Sequence, residues 1–222
     1  MPKVSIIVTA YNQTAVSAHI TMACLANITK YTDPEDYELI LIEDIPQFKV
    51  RDDYHVLKID KHIILDEYTN YTVKMNLAAK EAKGKYLCFI QNDVFVWEGW
   101  LKSFLYYFDN NLAECMIPDQ FPRSRGYIKE ANAMTYEQGL DHGHKEDCMY
   151  FITADAFKRI DGWNENLKAL IQVDFYKRCY DAGILVHSTN KIQVTHITLA
   201  THYQDMAEFD KKLDHDTRIL NK

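Results

Sequence analysis

Hydrophobic residues in the first half of the chain fall in short runs: VSIIV at 4–8, ELILI at 38–42, HVLKI at 55–59 and YLCFI at 86–90. Between them lie amphipathic stretches whose spacing predicts one helix running to Ile28 and another over 71–82. Strand and helix thus alternate. Nearly continuous apolar strands of this kind suit a mostly parallel sheet covered by helices on both faces, so the fold class is α/β, Rossmann-like. Over 98–108, Trp100, Phe104 and Phe108 recur along one helical face beside Leu101 and Leu105, which makes these aromatics core.

The pattern fades over 118–147, where Arg123, Arg125, Tyr127, Lys129, His142 and His144 stand among polar residues. An irregular stretch of this length predicts a substrate-covering loop. Strands are then expected over 148–153 and 192–196, with helices over 154–159 and 174–182, the latter closed by Gly183. The charged tail over 203–222 reads as a helix with Met206, Phe209 and Leu213 on its apolar face, able to pack on the body or build a homo-oligomer.

Composition narrows the function. The chain has 222 residues, seven Gly, five Pro and no linker-like stretch, so one domain over 1–222 is expected. A formal charge of −7 disfavours nucleic acid and anionic lipid. Five cysteines without a CxxC pair read as reduced thiols, hence a cytoplasmic protein. Thr9, Tyr11, Asn12 and Gln13 break the first apolar run well short of the ~20 residues a membrane span needs, so no integral membrane segment is expected.

Ligands of open parallel sheets gather at the carboxyl ends of strands. The first strand ends in Thr9-Ala10-Tyr11-Asn12, the second in Glu43-Asp44 and the fourth in Gln91-Asn92-Asp93. An ionised Asp44 only accepts hydrogen bonds and therefore suits a base edge that donates, such as the imide of uracil or thymine. Tyr11 offers a flat face for a pyrimidine ring, and Thr9 a hydroxyl beside it. Singly, each reads equally well as a turn or cap residue; their joint placement points to a nucleotide.

The segments VSIIVTAYN (4–12), LILIED (39–44), NLAAKEAKGKYLCFIQNDV (76–94), VFVWEGWL (94–101), DGWNENL (161–167) and VDFYKRCYDAG (173–183), with a strand-end His196, resemble family 2 glycosyltransferases in order and spacing. The resemblance implies the GT-A fold, with a nucleotide-sugar half over 1–117, an acceptor half over 118–202 and the tail beyond. It implies inverting transfer of a hexose, glucose or galactose favoured, from a UDP-sugar to a glycan or other hydroxyl-bearing acceptor. It also implies Mn2+ or Mg2+ at the Asp-any-Asp motif. Here Gln91-Asn92-Asp93 keeps only the last carboxylate, so Asp93 is the expected ligand, with His196 as a second that favours Mn2+. His202 stands in reserve, and His142 and His144 lack a third ligand. By the same resemblance Thr9, Ala10, Tyr11, Asp44, Lys74, Asn76 and Asn92 contact the nucleotide and Trp163 lines the acceptor side.

The departure is greatest at the acceptor base. Gln172-Val173-Asp174 stands where the family carries a carboxylate pair, and a neutral amide takes no proton near pH 7. Asp174 is the remaining candidate, equally readable as a helix N-cap. Asp147, Asp155 and Asp161 read as turn or cap residues. The missing carboxylates at Gln91 and Gln172 leave a nucleotide-sugar or glycan-binding protein as an alternative. A nucleotidyltransferase would need a Gly-rich phosphate loop after the first strand, and none follows Val8.

Overall fold

The computed structural model describes residues 2–48, 57–121, 134–135, 140–141, 148–197 and 206–220. One sheet of ten strands organises them. In chain order the elements are β1 (Val4–Ala10), α1 (Ala15–Tyr31), β2 (Tyr37–Asp44), β3 (Lys61–Leu65), α2 (Tyr71–Glu81), β4 (Tyr86–Gln91), β5 (Val94–Val96), α3 (Trp100–Asp109) and β6 (Cys115–Phe121). There follow β7 (Met134–Thr135), β8 (Leu140–Asp141), β9 (Met149–Thr153), α4 (Ala154–Arg159), α5 (Ile171–Asp181), β10 (Val186–His196) and α6 (Met206–Leu220). The strand order is β3-β2-β1-β4-β9-β6-β10-β8-β7, with β5 on β10. β1, β2, β3 and β4 run parallel, whereas β9 lies antiparallel between β4 and β6.

Alternation along the strands divides the core in two. Val4, Ile6, Val8 and Ala10 of β1 join Leu25 and Ile28 of α1 and Phe104 and Phe108 of α3 on one face. Ile7 joins Met75 of α2, Phe157 of α4 and Phe175 of α5 on the other. All seven residues of β1 are buried, as a strand covered on both sides requires. Helix α1 starts at a capping box: Ser17 N–H donates to Thr14 Oγ1 at 3.0 Å and Thr14 N–H to Ser17 Oγ at 3.1 Å. Gly84 crosses β1 so closely that a Cβ there would lie 2.5 Å from Ser5 N, leaving room for glycine alone.

Several boundaries differ from the sequence reading. The third strand is Lys61–Leu65; of the strand expected over 55–59, residues 55 and 56 lie outside the described residues, and Leu57 and Ile59 pack as partly buried side chains against the first cluster. Helix α5 begins at Ile171, so Asp174 lies inside its first turn and is not its N-cap. The backbone leading into it is held from α6: Asp216, 0% exposed, accepts the N–H groups of Lys168, Ala169 and Leu170 on one carboxylate oxygen at 2.6–2.8 Å. The tail is thus helical and docks through a buried carboxylate, while Leu213, expected on its packing face, is 36% exposed. The side chains of Met206 and Phe209 lie outside the described residues, as do Arg123, Arg125, Tyr127, Lys129, His142, His144, Asp147 and His202. All five cysteines are buried and free, and no helix among the described residues is long and apolar enough to cross a membrane.

Candidate active site

At the carboxyl edge of β1 and β2, Asp44 is buried with both oxygens engaged. Lys74 Nζ donates to Oδ2 at 2.7 Å and the Thr69 N–H to Oδ1 at 3.0 Å. Lys74, itself 4% exposed, also donates to the Ala10 carbonyl at 3.2 Å, so this one ammonium joins two strand ends. Burial lowers the Lys74 pKa below that of a free lysine, although Asp44 and Glu43 pull it back up. Tyr11 is 41% exposed above this pair, its ring centroid 5.9 Å from Lys74 Nζ and 5.5 Å from that of Tyr68. Thr9 is buried with its hydroxyl unpartnered. Four expected residues, Thr9, Ala10, Tyr11 and Asp44, therefore meet Lys74 at one edge. Tyr68 was missed; it follows β3 with no pattern of its own in the sequence.

The second group is assembled by strand pairing. β5 runs antiparallel to β10 with Val94 opposite His196, and the Ile197 N–H donates to the Asp93 carbonyl at 3.1 Å. His196 Nε2 consequently lies 3.2 Å from Asp93 Oδ1, both side chains almost fully buried. The two atoms are close without being aligned as a hydrogen bond, and both remain unpartnered. A buried carboxylate oxygen and imidazole nitrogen side by side without partners suit a shared divalent cation. Among the described residues no cluster of three or more His, Cys, Asp or Glu is present.

Asn92 turns inward from the same strand end. Its Nδ2 donates to Thr21 Oγ1 (2.8 Å), Thr21 Oγ1 to Asn12 Oδ1 (2.8 Å) and Asn12 Nδ2 to Glu43 Oε2 (2.6 Å), while His62 Nε2 meets Glu43 Oε1 (2.7 Å). Asn92 thus anchors a buried polar chain beneath the nucleotide edge. Glu43 is 0% exposed, and its oxygens are bound from both sides. Thr21, Glu43 and His62 were not singled out in the sequence, because their roles depend on pairing between β2 and β3 and on where α1 lands.

The remaining candidates meet elsewhere, around residues 160–165. Asn76 Oδ1 accepts the Trp163 N–H, and its Nδ2 donates to the Trp163 carbonyl and to Glu165 Oε1, each at 2.9 Å. Its amide is spent on this turn rather than on a nucleotide. Trp163 is 2% exposed, stacked on Phe175 at 4.3 Å and met by the edges of Phe89 and Tyr150. This packing holds the ring in the core, while its buried Nε1 has no partner. Asp174 accepts from Arg178 Nε at 2.7 Å and Asn164 Nδ2 at 3.3 Å, and Arg178 Nη1 donates to the carbonyls of Ile160 and Gly162 at 2.5 Å. These contacts make Asp174 part of the clamp on the turn. Gln172, at the usual base position, has a buried Oε1 with no partner.

The family model for glycosyl transferase family 2 matches residues 5–167. Among solved structures, TarS 1-349 of S. aureus in complex with UDP-GlcNAc is similar at a TM-score of 0.69 and 16% identity, over 99% of this chain and 67% of that one. A longer TarS crystal structure matches at 0.69 and 16% over 95% of this chain and 42% of its own. GalNAc-T7 with UDP, GalNAc and Mn2+ matches at 0.75 and 12%, over 88% of this chain and 44% of that one. The chain thus spans less than half of the last two. At these identities the likeness establishes the fold, GT-A. No curated protein matches the sequence. With its family model matched from the first strand to Leu167 on a sheet of this topology, the chain belongs to glycosyltransferase family 2.

Proposed function

We propose that the protein transfers a hexose from a UDP-sugar to a hydroxyl-bearing acceptor with inversion, using a divalent cation held by Asp93 and His196. The observation that carries this reading is the convergence, along one sheet edge, of a pyrimidine-sized aromatic face at Tyr11, a buried carboxylate at Asp44 and the unpartnered Asp93–His196 pair. Asp44 has remaining lone pairs for a uracil imide N–H, with Lys74 fixing the carboxylate's direction. Thr9 offers an unspent hydroxyl beside the base or ribose. A divalent cation, when bound, neutralises charge developing on the departing diphosphate, a Lewis-acid role worth several kcal/mol. The buried walls of Asp93 and His196 keep water from competing for it.

TarS with UDP-GlcNAc and GalNAc-T7 with UDP, GalNAc and Mn2+ support a UDP donor and Mn2+, and they add N-acetylhexosamines to glucose and galactose as sugars to try. The five buried thiols are consistent with the proposed cytoplasmic location. The test is a donor panel of UDP-glucose, UDP-galactose, UDP-GlcNAc and UDP-GalNAc with and without Mn2+, read by free UDP. Cation-dependent release from at least one donor is expected; no release and no UDP binding would overturn the reading.

A second reading, donor binding without transfer, is favoured by one observation: Gln172 is neutral and Asp174 is held by Arg178 and Asn164. Its signature in the same panel is Mn2+-dependent UDP binding without turnover.

A further inference from the structure

Two polar side chains without hydrogen-bond partners, Gln120 and His196, lie along one face of the β6–β10 strand pair. Gln120 of β6 is in register with Val194 of β10, and residues paired in register point to the same side of a sheet. His196, two residues beyond Val194, shares that side. The assignment agrees with packing, since Met116 of β6 and Val194 of β10 belong to the same core cluster. Gln120 is therefore the diagonal neighbour of His196, a separation of roughly 7–8 Å between Cα atoms that a glutamine side chain spans.

Gln120 is 5% exposed, and neither Nε2 nor Oε1 has a partner. His196 is 7% exposed, and its Nδ1 likewise has none, while its Nε2 is the atom turned to Asp93. Buried amides are seldom left empty on both ends. A histidine that ligates a cation through one ring nitrogen almost always donates the other N–H to a fixed acceptor, which sets its tautomer and orientation.

We propose that Gln120 is the positioning residue of His196: the two groups make no hydrogen bond in this structure, and a rotation of the Gln120 side chain brings its Oε1 to the Nδ1–H, holding the imidazole with Nε2 as the lone-pair nitrogen facing Asp93. The inference rests on Asp93 and His196 as the cation pair and adds the group that orients one of them. It also explains why a polar amide occupies a β6 position whose strand neighbours on that face are apolar.

The test compares the full-length wild type with Gln120→Leu, which keeps the shape and removes the acceptor, and Gln120→Glu, which restores one. Mn2+ affinity is read from the electron paramagnetic resonance of free Mn2+, alone and with UDP. The His196 tautomer is read without metal from long-range proton–nitrogen spectra. Gln120→Leu is expected to weaken Mn2+ binding about 10- to 100-fold, with Gln120→Glu recovering most of it. The Nδ1–H form of His196 should dominate in wild type and decline in the leucine variant. Unchanged Mn2+ affinity and unchanged tautomer in Gln120→Leu would overturn the inference. If wild type shows the Nδ1–H form but binds no Mn2+, the cation reading falls while the Gln120–His196 contact stands. Should the leucine variant fail to fold, Gln120→Met carries the same comparison.

Discussion

Lys74 Nζ sits 2.7 Å from Asp44 Oδ2, with the two side chains 6% and 2% exposed. An ion pair this dry gains little over an apolar pair, but losing one partner strands the other. Lys74→Met is expected to destabilise the protein by about 3–5 kcal/mol, because Asp44 keeps only the Thr69 N–H. Urea unfolding measures it. Lys74→Met combined with Asp44→Leu should recover much of the loss; a double variant as unstable as the single one would refute the pairing argument.

Asp216 makes the tail sensitive to acid. Burial pushes its carboxyl pKa up, but His215 and the three N–H groups of Lys168, Ala169 and Leu170 more than offset that and hold it below the usual value. With the folded pKa lowered, the stabilisation is complete above the unfolded value of about 3.9 and is lost as pH falls through the folded one. Asp216→Ala removes the shared acceptor of three N–H groups and should cost about 1.5–3 kcal/mol at pH 7, and the gap to wild type should narrow at pH 3. Thermal melts at both pH values decide it; an equal gap at both would remove Asp216 from the acid response.

Trp163→Ala is expected to behave as a core deletion, costing about 3–5 kcal/mol by the stacking and edge contacts it removes. Trp163→Phe should retain donor binding and most of the stability. A large rise in acceptor KM for the phenylalanine variant, with stability intact, would restore the acceptor role that burial argues against.

Gly162→Ala tests the clamp. The backbone there has φ +67°, and a Cβ would lie 2.7 Å from Asn76 Oδ1. The left-handed conformation alone costs roughly 1–2 kcal/mol, and displacing Asn76 frees the Trp163 backbone as well. Hydrogen exchange should show residues 160–165 losing protection first; a substitution without effect on that segment would mean that the turn is not held through Asn76.

Asp174→Asn separates structure from chemistry. Losing the charge-assisted bond to Arg178 should cost about 1.5–3 kcal/mol. UDP release per folded molecule should fall less than tenfold. A drop of about 10²- to 10⁴-fold at unchanged folded fraction would instead identify Asp174 as the acceptor base.

Legibility in the sequence followed the range of the interactions involved. Runs such as VSIIV and YLCFI announce themselves because a strand covered on both faces is apolar throughout. The stretch at 55–59 has the same character, yet Leu57 and Ile59 meet the core by packing, and pairing begins only at Lys61. The start of α5 at Ile171 is not legible because the backbone before it is held by Asp216, from a helix far along the chain. Among the candidate site residues, the placement of Asp44 and Tyr11 at strand ends is legible from the apolar runs that precede them. Asn76, Trp163 and Asp174 sit in the expected motifs, but side-chain direction sends them to the 160–165 turn instead.

The polar thread from Asn92 through Thr21, Asn12 and Glu43 to His62 has a consequence for how this enzyme can change over time. Each link satisfies its neighbour away from water, so a lone replacement of Thr21, Asn12 or Glu43 leaves two dangling ends. Drift in this floor should therefore proceed by concerted substitutions.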